Sequence, residues 1–245
     1  MHVFITGGSK GIGRGMVVEF LKKGHDVSFT GTSESSVSKG SSGLKGNFIG
    51  LVCDVRIMKS IETAKDSAIE KFGLIDIWIN NAGVGQPPKY FYDLSEDDIR
   101  EVIDVNVYGM ILGTNVALKE MKNQNHGIVY NMEGLGSDGR IIPKTIVYAS
   151  SKRILRYFSN AANKELQGNK EVFVGTVSPG MVFTNLLMKD NTPESMKMIN
   201  ILADSVEDVT PFLVEKMLSG KKNINWLSTR KVLWKFVKSI FRKKK

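Results

Sequence analysis

Short apolar runs rich in β-branched residues alternate along this chain with longer segments that carry apolar residues at helical spacing. The runs are HVFIT (2–6), DVSFT (26–30), FIGLV (48–52), IDIWIN (75–80), GIVYNM (127–132), VFVGTV (172–177) and NINWL (223–227). Apolar residues recur at helical spacing in residues 12–23, 59–72, 96–122 and 147–167. Apolar strands separated by helices predict a single-domain α/β protein, with a doubly wound parallel sheet covered on both faces.

The 245 residues suit one such domain, and we predict that it spans residues 1–220. Residues 31–47, rich in Ser and Gly, predict a loop with at most one helical turn. The single cysteine, Cys53, excludes an internal disulfide and fits a reducing, cytoplasmic compartment. The first predicted strand begins at residue 2, so we expect no targeting peptide, and the Lys-, Asn- and Ile-rich usage is typical of a bacterial protein.

The net charge of +9 comes from the C-terminal residues of the chain. Residues 221–245 hold ten Lys and Arg and no acid, whereas residues 1–220 hold 24 bases and all 25 acids. This tail predicts a basic amphipathic C-terminal helix, with Trp234 able to lie at a lipid headgroup boundary. Peripheral binding to an anionic membrane surface, on the inner face of the cell membrane, follows from that pattern. The alternative is a helix docked on the body or on a partner subunit, and we expect no nucleic acid.

A glycine-rich turn, ITGGSKGIGRGM, follows the first strand and opens a helix. Glycine lets the backbone turn tightly and approach a pyrophosphate, whose charge the free N–H groups at the helix start then bind. A strand before the turn and a helix after it predict a Rossmann-type dinucleotide site. The cofactor-binding residues predicted here are Gly7, Ser9, Lys10, Gly11, Ile12 and Gly13.

The end of the second strand bears on the choice of cofactor. NAD-binding chains place an acid there to bind the ribose 2′-hydroxyl, whereas this chain has Thr32 and Ser33. Hydroxyls and a nearby cation such as Lys10 accept a 2′-phosphate, so the charges favour NADPH. The alternative is that Thr32 and Ser33 only form a turn and that Lys10 is solvated.

Several spaced motifs resemble the short-chain dehydrogenase/reductase family over residues 1–220. They are TGGSKGIG, CDV (53–55), NNAG (80–83), NVYG (106–109), YASSK (148–152) and SPGMVFT (178–184). The resemblance implies a Rossmann-type sheet that binds NAD(P)H and a homodimer or homotetramer that pairs through helices 96–122 and 147–167. It adds further cofactor-binding residues: Asp54, Val55, Asn81, Ala82, Gly83, Pro179, Gly180, Val182 and Thr184.

Tyr148 and Lys152 are four residues apart and therefore share one face of a helix. A lysine ammonium and an oxidised nicotinamide favour the phenolate, so we expect the pKa of Tyr148 to fall from about 10 towards the working pH. The pair predicts reduction of a small-molecule carbonyl, with Tyr148 as the proton donor. In the resembled family Lys152 also binds the nicotinamide ribose, and Asn106 orders a water that resupplies the proton.

The family serine that hydrogen-bonds the substrate oxygen is absent from its usual place. Gly134 occupies that place and Glu133 precedes it, while Ser137 lies three residues later. The glycines of this stretch allow a reshaped loop, so Ser137 is the predicted oxygen-binding residue. The alternative is that Ser137 is a turn residue and that a backbone N–H polarises the carbonyl.

The stretches NMEGLGSDGR, YASSKR and SPGMVFTNLLM resemble the chlorophyll(ide) b reductase branch of the family. That resemblance implies reduction of a ring-borne formyl group to hydroxymethyl with NADPH. A methionine-rich segment at 185–205 is the predicted substrate lid, and its soft apolar surface suits a large or lipophilic substrate. The rival hypotheses are a non-catalytic NADP-binding sensor or scaffold, suggested by the missing serine, and a membrane-associated module.

Overall fold

The apolar runs of the sequence form the strands of one parallel sheet. A computed structural model describes residues 1–167, 169–188 and 193–242. The sheet has seven strands in the order β3-β2-β1-β4-β5-β6-β7. The strands are β1 (His2–Ile5), β2 (Asp26–Gly31), β3 (Phe48–Val52), β4 (Ile77–Asn80), β5 (Gly127–Met132), β6 (Val172–Ser178) and β7 (Asn223–Asn225). The predicted doubly wound parallel sheet is confirmed.

Helices connect the strands, and those predicted from periodicity are present. They are α1 (Gly11–Lys22), α2 (Glu34–Ser41), α3 (Met58–Phe72), α4 (Glu96–Ile103), α5 (Gly109–Gln124), α6 (Ile146–Glu165), α7 (Asn185–Met188), α8 (Pro193–Leu202), α9 (Val206–Leu218) and α10 (Thr229–Arg242). A 3-10 turn spans Phe91–Asp93, and a π-helical segment, Asp104–Tyr108, joins α4 to α5.

The crossover between β2 and β3 corrects the prediction of a loop, because it contains the eight-residue helix α2. Ser33 caps this helix by accepting a hydrogen bond from Ser36 N at 3.2 Å, while Ser36 Oγ accepts one from Ser33 N at 3.2 Å. Val37 packs against the core beneath it. Serine is a poor residue inside helices but a strong one at their starts, so the reciprocal cap outweighs the low propensity.

Strand side chains alternate between two cores, one on each face of the sheet. Val3 and Ile5 face α1 and α9, where Phe20 and Leu213 are fully buried. Phe4 points to the opposite face and stacks on Trp78 at 4.0 Å between ring centroids. The second face is covered by α3 and α5, whose buried residues include Ile61, Leu112 and Met121.

The end of the chain divides between the sheet and a docked helix. β7 lies beyond residue 220 and pairs with β6, so part of the predicted tail 221–245 belongs to the sheet. In α10, Lys235 Nζ donates to Asp204 Oδ1 at 2.5 Å and to Leu202 O at 3.1 Å, which fixes one side of the helix to the body. Lys243–Lys245, also predicted as tail, lie outside the described residues.

Two surface properties bear on the predicted partners. Within the described ranges, no helix combines the length and the apolarity that crossing a bilayer requires. The helices predicted to pair two copies carry exposed apolar side chains, namely Ile103, Tyr108, Ile154 and Tyr157. Pairing through α4, α5 and α6 stays a prediction of the resemblance.

Candidate active site

The carboxyl ends of the parallel strands place the predicted site residues along one edge of the sheet. The strand order reverses between β1 and β4, and a crevice for ligands lies outside such a switch point. Glycine turn 7–13 follows β1, Asn81–Gly83 follow β4, and the loop that contains Gly134 follows β5. The topology thus brings to one edge of the sheet segments as far apart in the sequence as Gly7 and Gly134.

The turn after β1 fits a pyrophosphate. Gly7 and Gly11 have φ angles of 63° and 56°, which side-chain-bearing residues rarely adopt. Asn81 Nδ2 fixes the turn by donating to Thr6 O and Gly7 O, both at 3.0 Å. The first residue before α1, Lys10, makes no side-chain cap, and the first helical turn carries no acid. The N–H groups and the positive end of the helix dipole are therefore available to an anion.

The remaining predicted cofactor residues surround this turn. Ser9 and Ile12 are partly buried, whereas Lys10, Thr32 and Ser33 are exposed. Thr184 lies above the turn, since its Cγ2 is 3.5 Å from a Cβ built on Gly11. The loop that carries Thr184 also contains Pro179, Gly180 and Val182, of which Pro179 and Val182 are buried.

Asp54 has a partner that the sequence interpretation did not name. Its carboxylate accepts two hydrogen bonds from Arg56 Nε, at 2.9 and 3.1 Å, and one from Arg56 Nη2 at 2.7 Å. These bonds hold the pKa of Asp54 below its ordinary value. Val55, the next predicted residue, is buried, and its side chain packs against Gly109. Asp54 therefore carries a charged, oriented side chain at the end of β3.

Tyr148 and Lys152 lie on α6 and face the end of β5. Lys152 Nζ is 5.9 Å from the centre of the Tyr148 ring and donates to Met132 O at 3.2 Å. Gln86 fixes the start of the helix, because its Oε1 accepts from Tyr148 N and its Nε2 donates to Lys144 O, both at 2.9 Å. This anchor was missed from the sequence, in which nothing marks a glutamine of a loop as a partner of α6.

Burial acts on both members of the pair. It raises the pKa of Tyr148 to about 12 and lowers the pKa of Lys152 to about 8, where the negative charge of Glu133 opposes part of the effect. The expectation that the phenol pKa falls is therefore wrong for the protein alone, since desolvation outweighs the neighbouring ammonium. Tyr148 is held as a neutral phenol, which is the form that donates a proton.

Asn106 lies in the π-helical segment and is 1% exposed. Its amide accepts from Val84 N and donates to Val84 O, both at 2.9 Å, and also donates to Ser151 Oγ at 3.1 Å. The side chain thus joins the loop after β4 to α6. A π-helical segment shifts the backbone hydrogen-bond register, and such segments are frequent at functional sites.

The loop after β5 shows why a serine does not occupy position 134. A Cβ built on Gly134 would lie 2.6 Å from the Tyr148 hydroxyl oxygen, so a larger residue cannot coexist with this position of the phenol. Ser137 lies in a turn next to Gly134, because its Oγ accepts from Gly134 N and its N donates to Gly134 O, both at 3.1 Å. Ser137 is 2% exposed, and its hydroxyl hydrogen has no acceptor among the hydrogen bonds of the described residues.

An ion pair next to the site, between the buried carboxylate of Glu133 and the exposed Arg156, was also missed. Glu133 accepts two hydrogen bonds from Arg156, each 2.8 Å long. The signal in the sequence was a charged residue directly after an apolar strand, together with a base four residues beyond Lys152. Each is unremarkable alone, and only the packing of α6 on β5 brings them together.

Two apolar surfaces border the site. Tyr90, Phe91 and Tyr92 line a cavity of about 430 Å³ together with Ile141 and Ile142 from the loop before α6. On the side of the predicted lid, Leu186, Met188 and Met198 are exposed. Residues 189–192 of the predicted lid lie outside the described residues.

We predict that Gly134→Ala forces the Tyr148 ring out of its position and lowers the free energy of unfolding by about 1–3 kcal/mol. Urea unfolding measures the change. Gly85→Ala is the matched control, because a Cβ there would meet only the end of Leu186, at 3.2 Å. The control should change stability by no more than about 0.5 kcal/mol. Equal losses in the two variants would show that the phenol does not contact Gly134.

Comparison with known proteins supports the relationship that the motifs indicate. The family model for short chain dehydrogenase matches residues 1–195. Chloroplastic chlorophyll(ide) b reductase NOL is 39% identical in Oryza sativa subsp. japonica and 36% identical in Arabidopsis thaliana, and each alignment covers 87% of this chain. The chain spans 65% and 64% of the length of these relatives, which is less than two thirds.

Solved structures share the fold. A closed form of serine dehydrogenase complexed with NADP+ is 26% identical, with a TM-score of 0.80 over 92% of this chain and 94% of that one. The family match, the parallel sheet and the arrangement at its carboxyl edge agree. The chain belongs to the short-chain dehydrogenase/reductase family of NAD(P)H-dependent oxidoreductases, in which it is most similar to the chlorophyll(ide) b reductase branch.

Proposed function

We propose that this protein is an NADPH-dependent reductase of an aldehyde or ketone, with Tyr148 as its proton donor. The observation that carries the proposal is the position of the phenol. It is partly buried beside Gly134 and Lys152, at the edge of the sheet that carries the glycine turn. A scaffold or sensor needs the glycine turn but has no use for a phenol placed beside a buried lysine. That difference favours the enzyme over the non-catalytic alternative.

The residues of this chain divide the chemistry between them. The bound dihydronicotinamide supplies the hydride that adds to the carbonyl carbon. Tyr148 gives its proton to the carbonyl oxygen, which completes the alcohol. Lys152 stabilises the phenolate left behind, because an ammonium group favours the charged form of a neighbouring phenol. Ser137 is the proposed hydrogen-bond donor to the same oxygen, and Asn106 holds the loop after β4 against α6.

The proposed preference for NADPH rests on charge at the edge of the glycine turn. Lys10 is exposed beside the turn, and the first two residues after β2, Thr32 and Ser33, are exposed hydroxyl residues, while the acid Glu34 follows them in the first turn of α2. A cation and hydroxyls bind a 2′-phosphate, which a carboxylate would repel. The structural relative at 26% identity binds NADP+.

The proposed substrate is an aldehyde borne on a large flat ring. The relatives from rice and Arabidopsis are, by their names, reductases of chlorophyll(ide) b. Aromatic and aliphatic side chains suited to a flat apolar ligand border the site at Tyr90–Tyr92 and at Leu186 and Met188. Chlorophyll(ide) b-like formyl reduction is therefore the specific form of the proposal.

We predict that Tyr148→Phe lowers kcat by about 100-fold or more, because general acid catalysis contributes that much. NADPH oxidation measured with chlorophyllide b and a panel of aromatic aldehydes is the assay. NADPH binding, followed by fluorescence, should be unchanged. Tyr157→Phe is the matched control, since Tyr157 lies on the same helix and is 80% exposed. A variant that turns over as fast as the wild type would exclude Tyr148 as the donor.

We expect Lys10→Glu to raise the KM for NADPH by about tenfold or more, since loss of a charge-assisted contact costs about 1.5–3 kcal/mol. The KM for NADH should change by no more than about twofold, because NADH lacks the 2′-phosphate. Lys23→Glu, at the exposed far end of the same helix, controls for net charge. Equal effects of Lys10→Glu on both cofactors would contradict the proposed contact.

The proposed partner of the C-terminal helix is an anionic membrane surface. Leu233, Trp234 and Val237 are 62%, 59% and 53% exposed on α10, although the side that carries Lys235 is docked. Lys238 is also exposed and lies 4.7 Å from the Trp234 ring centre. An apolar stripe flanked by cations complements a negatively charged bilayer.

Flotation with lipid vesicles tests this surface. We predict that Leu233→Glu with Trp234→Glu abolishes binding to phosphatidylserine-containing vesicles, because the double variant removes apolar area and adds negative charge. Leu74→Glu, an exposed leucine elsewhere, should leave binding unchanged. High salt should weaken wild-type binding. Binding of the double variant equal to that of the wild type would exclude α10 as the contact.

A further inference from the structure

A carboxylate is buried directly after β5, and the family resemblance gives it no role. The side chain of Glu133 is 3% exposed. Its backbone is fixed to the neighbouring strand, because Glu133 N donates to Val177 O at 2.7 Å. A charged carboxylate at such a depth is costly unless it is paired and hydrogen-bonded. The carboxylate of Glu133 therefore requires an interaction that offsets the cost of its burial.

Arg156 supplies that compensation. Its Nε donates to one carboxylate oxygen of Glu133 and its Nη2 donates to the other, each at 2.8 Å. Two parallel charge-assisted bonds of this kind fix the plane of a carboxylate. The side chain of Arg156 is 43% exposed, so water screens its charge far more than it screens the charge of Glu133.

Lys152 lies between this ion pair and the phenol. Tyr148, Lys152 and Arg156 are spaced four residues apart on α6 and so form successive turns of one helix face. Lys152 Nζ donates to the carbonyl oxygen of Met132, the residue directly before Glu133. The buried ammonium therefore has one direct hydrogen bond, to a neutral oxygen, and a carboxylate on the next residue.

The other groups that face Lys152 carry no competing negative charge. Asn106, in the π-helical segment, and Gly83, in the loop after β4, have no titratable side chain. Gly83 lies close to the ammonium group, because a Cβ built on it would be 3.6 Å from Lys152 Nζ. Tyr148, one turn before it on α6, is a neutral phenol. Asp138 is exposed and bound to Arg140 at 2.7 Å. Among the described residues, Glu133 is thus the buried anion that acts on this ammonium group.

We propose that Glu133 is a positioning residue that keeps Lys152 in its ammonium form, with Arg156 orienting the carboxylate for that purpose. This inference rests on the proposed function, in which the ammonium stabilises the phenolate of Tyr148. Burial alone favours neutral lysine, and an ammonium that lost its proton could no longer hold the phenolate. In this proposal, the negative charge that offsets the burial of Lys152 is carried by Glu133, the residue directly before Gly134.

The pKa of Lys152 agrees with this arrangement. Burial lowers it to about 8, and the Glu133 carboxylate acts in the opposite direction. Replacing the carboxylate with a neutral amide removes the opposing effect, so the pKa of Lys152 must fall further. The midpoint then moves below about 8, and a larger fraction of Lys152 is neutral at pH 7.5.

The test is an NMR titration of the full chain labelled at lysine, with the Lys152 signal assigned by its loss in Lys152→Met. We expect Glu133→Gln to lower the Lys152 midpoint by about one pH unit, the shift that a nearby opposite charge typically causes. Glu133→Asp keeps the charge and should stay within about 0.3 pH units of the wild type. A midpoint that is unchanged in Glu133→Gln would overturn the proposal.

Two further variants separate charge from folding. Asp138→Asn removes an exposed carboxylate from the same loop and should leave the Lys152 midpoint at its wild-type value. If Glu133→Gln does not fold, Glu133→Gln with Arg156→Gln replaces the ion pair by a neutral hydrogen-bonded pair. That double variant should show a smaller shift in the same direction, because Glu133 is the more buried of the two charges. An unchanged or raised midpoint in the folded double variant would overturn the proposal.

The pH profile of kcat/KM for carbonyl reduction supplies the functional measurement. The pH at which kcat/KM falls on the alkaline side should be lower in Glu133→Gln, by the same number of pH units as the NMR midpoint. In Glu133→Asp this pH should return to the wild-type value. If the wild type reduces none of the carbonyl compounds, the proposed function fails, while the NMR titration still decides the role of Glu133. If the NMR midpoint of Lys152 shifts but the alkaline fall of kcat/KM stays at the same pH, the proposal that the Lys152 ammonium stabilises the Tyr148 phenolate is refuted.

Discussion

A lysine ammonium group buried at the end of β5 is the constraint around which the site is arranged. Burial favours the neutral amine, and a hydrogen bond to Met132 O compensates for only part of the lost hydration. The phenol of Tyr148 lies on one side of Lys152, and the pair of Glu133 with Arg156 lies on the other. A neutral acid and a charged cation can therefore coexist at one edge of the sheet.

The glycine at position 134 follows from the same packing. The phenol hydroxyl lies so close to the backbone of Gly134 that no Cβ fits between them. A turn places another hydroxyl group next to this position, since Ser137 Oγ accepts a hydrogen bond from Gly134 N. The absence of a serine at position 134 is thus compatible with the proposed reaction.

Much of the fold and part of the site could be predicted from the sequence, because they depend on local patterns. Apolar runs and helical spacing predicted the strands and most helices, and the glycine spacing predicted the turn after β1. The helix α2 was missed because its stability comes from a Ser33–Ser36 cap rather than from propensity. The rise of the Tyr148 pKa in the protein without its cofactor was not predicted, because burial has no local signature in the sequence.

The sequence by itself determined the class of sheet, the glycine turn and the Tyr148–Lys152 spacing, since each depends on residues that are near one another in the chain. Only the tertiary structure decided which distant groups meet at the site. Glu133 reaches Arg156 across 23 positions and Tyr148 N reaches Gln86 across 62. Such contacts arise because parallel strands align their carboxyl ends while α6 packs beside β5 and β6. How deeply a titratable group is buried affects its charge. This depth depends on how the helices pack on the sheet, and no local pattern in the sequence specifies it.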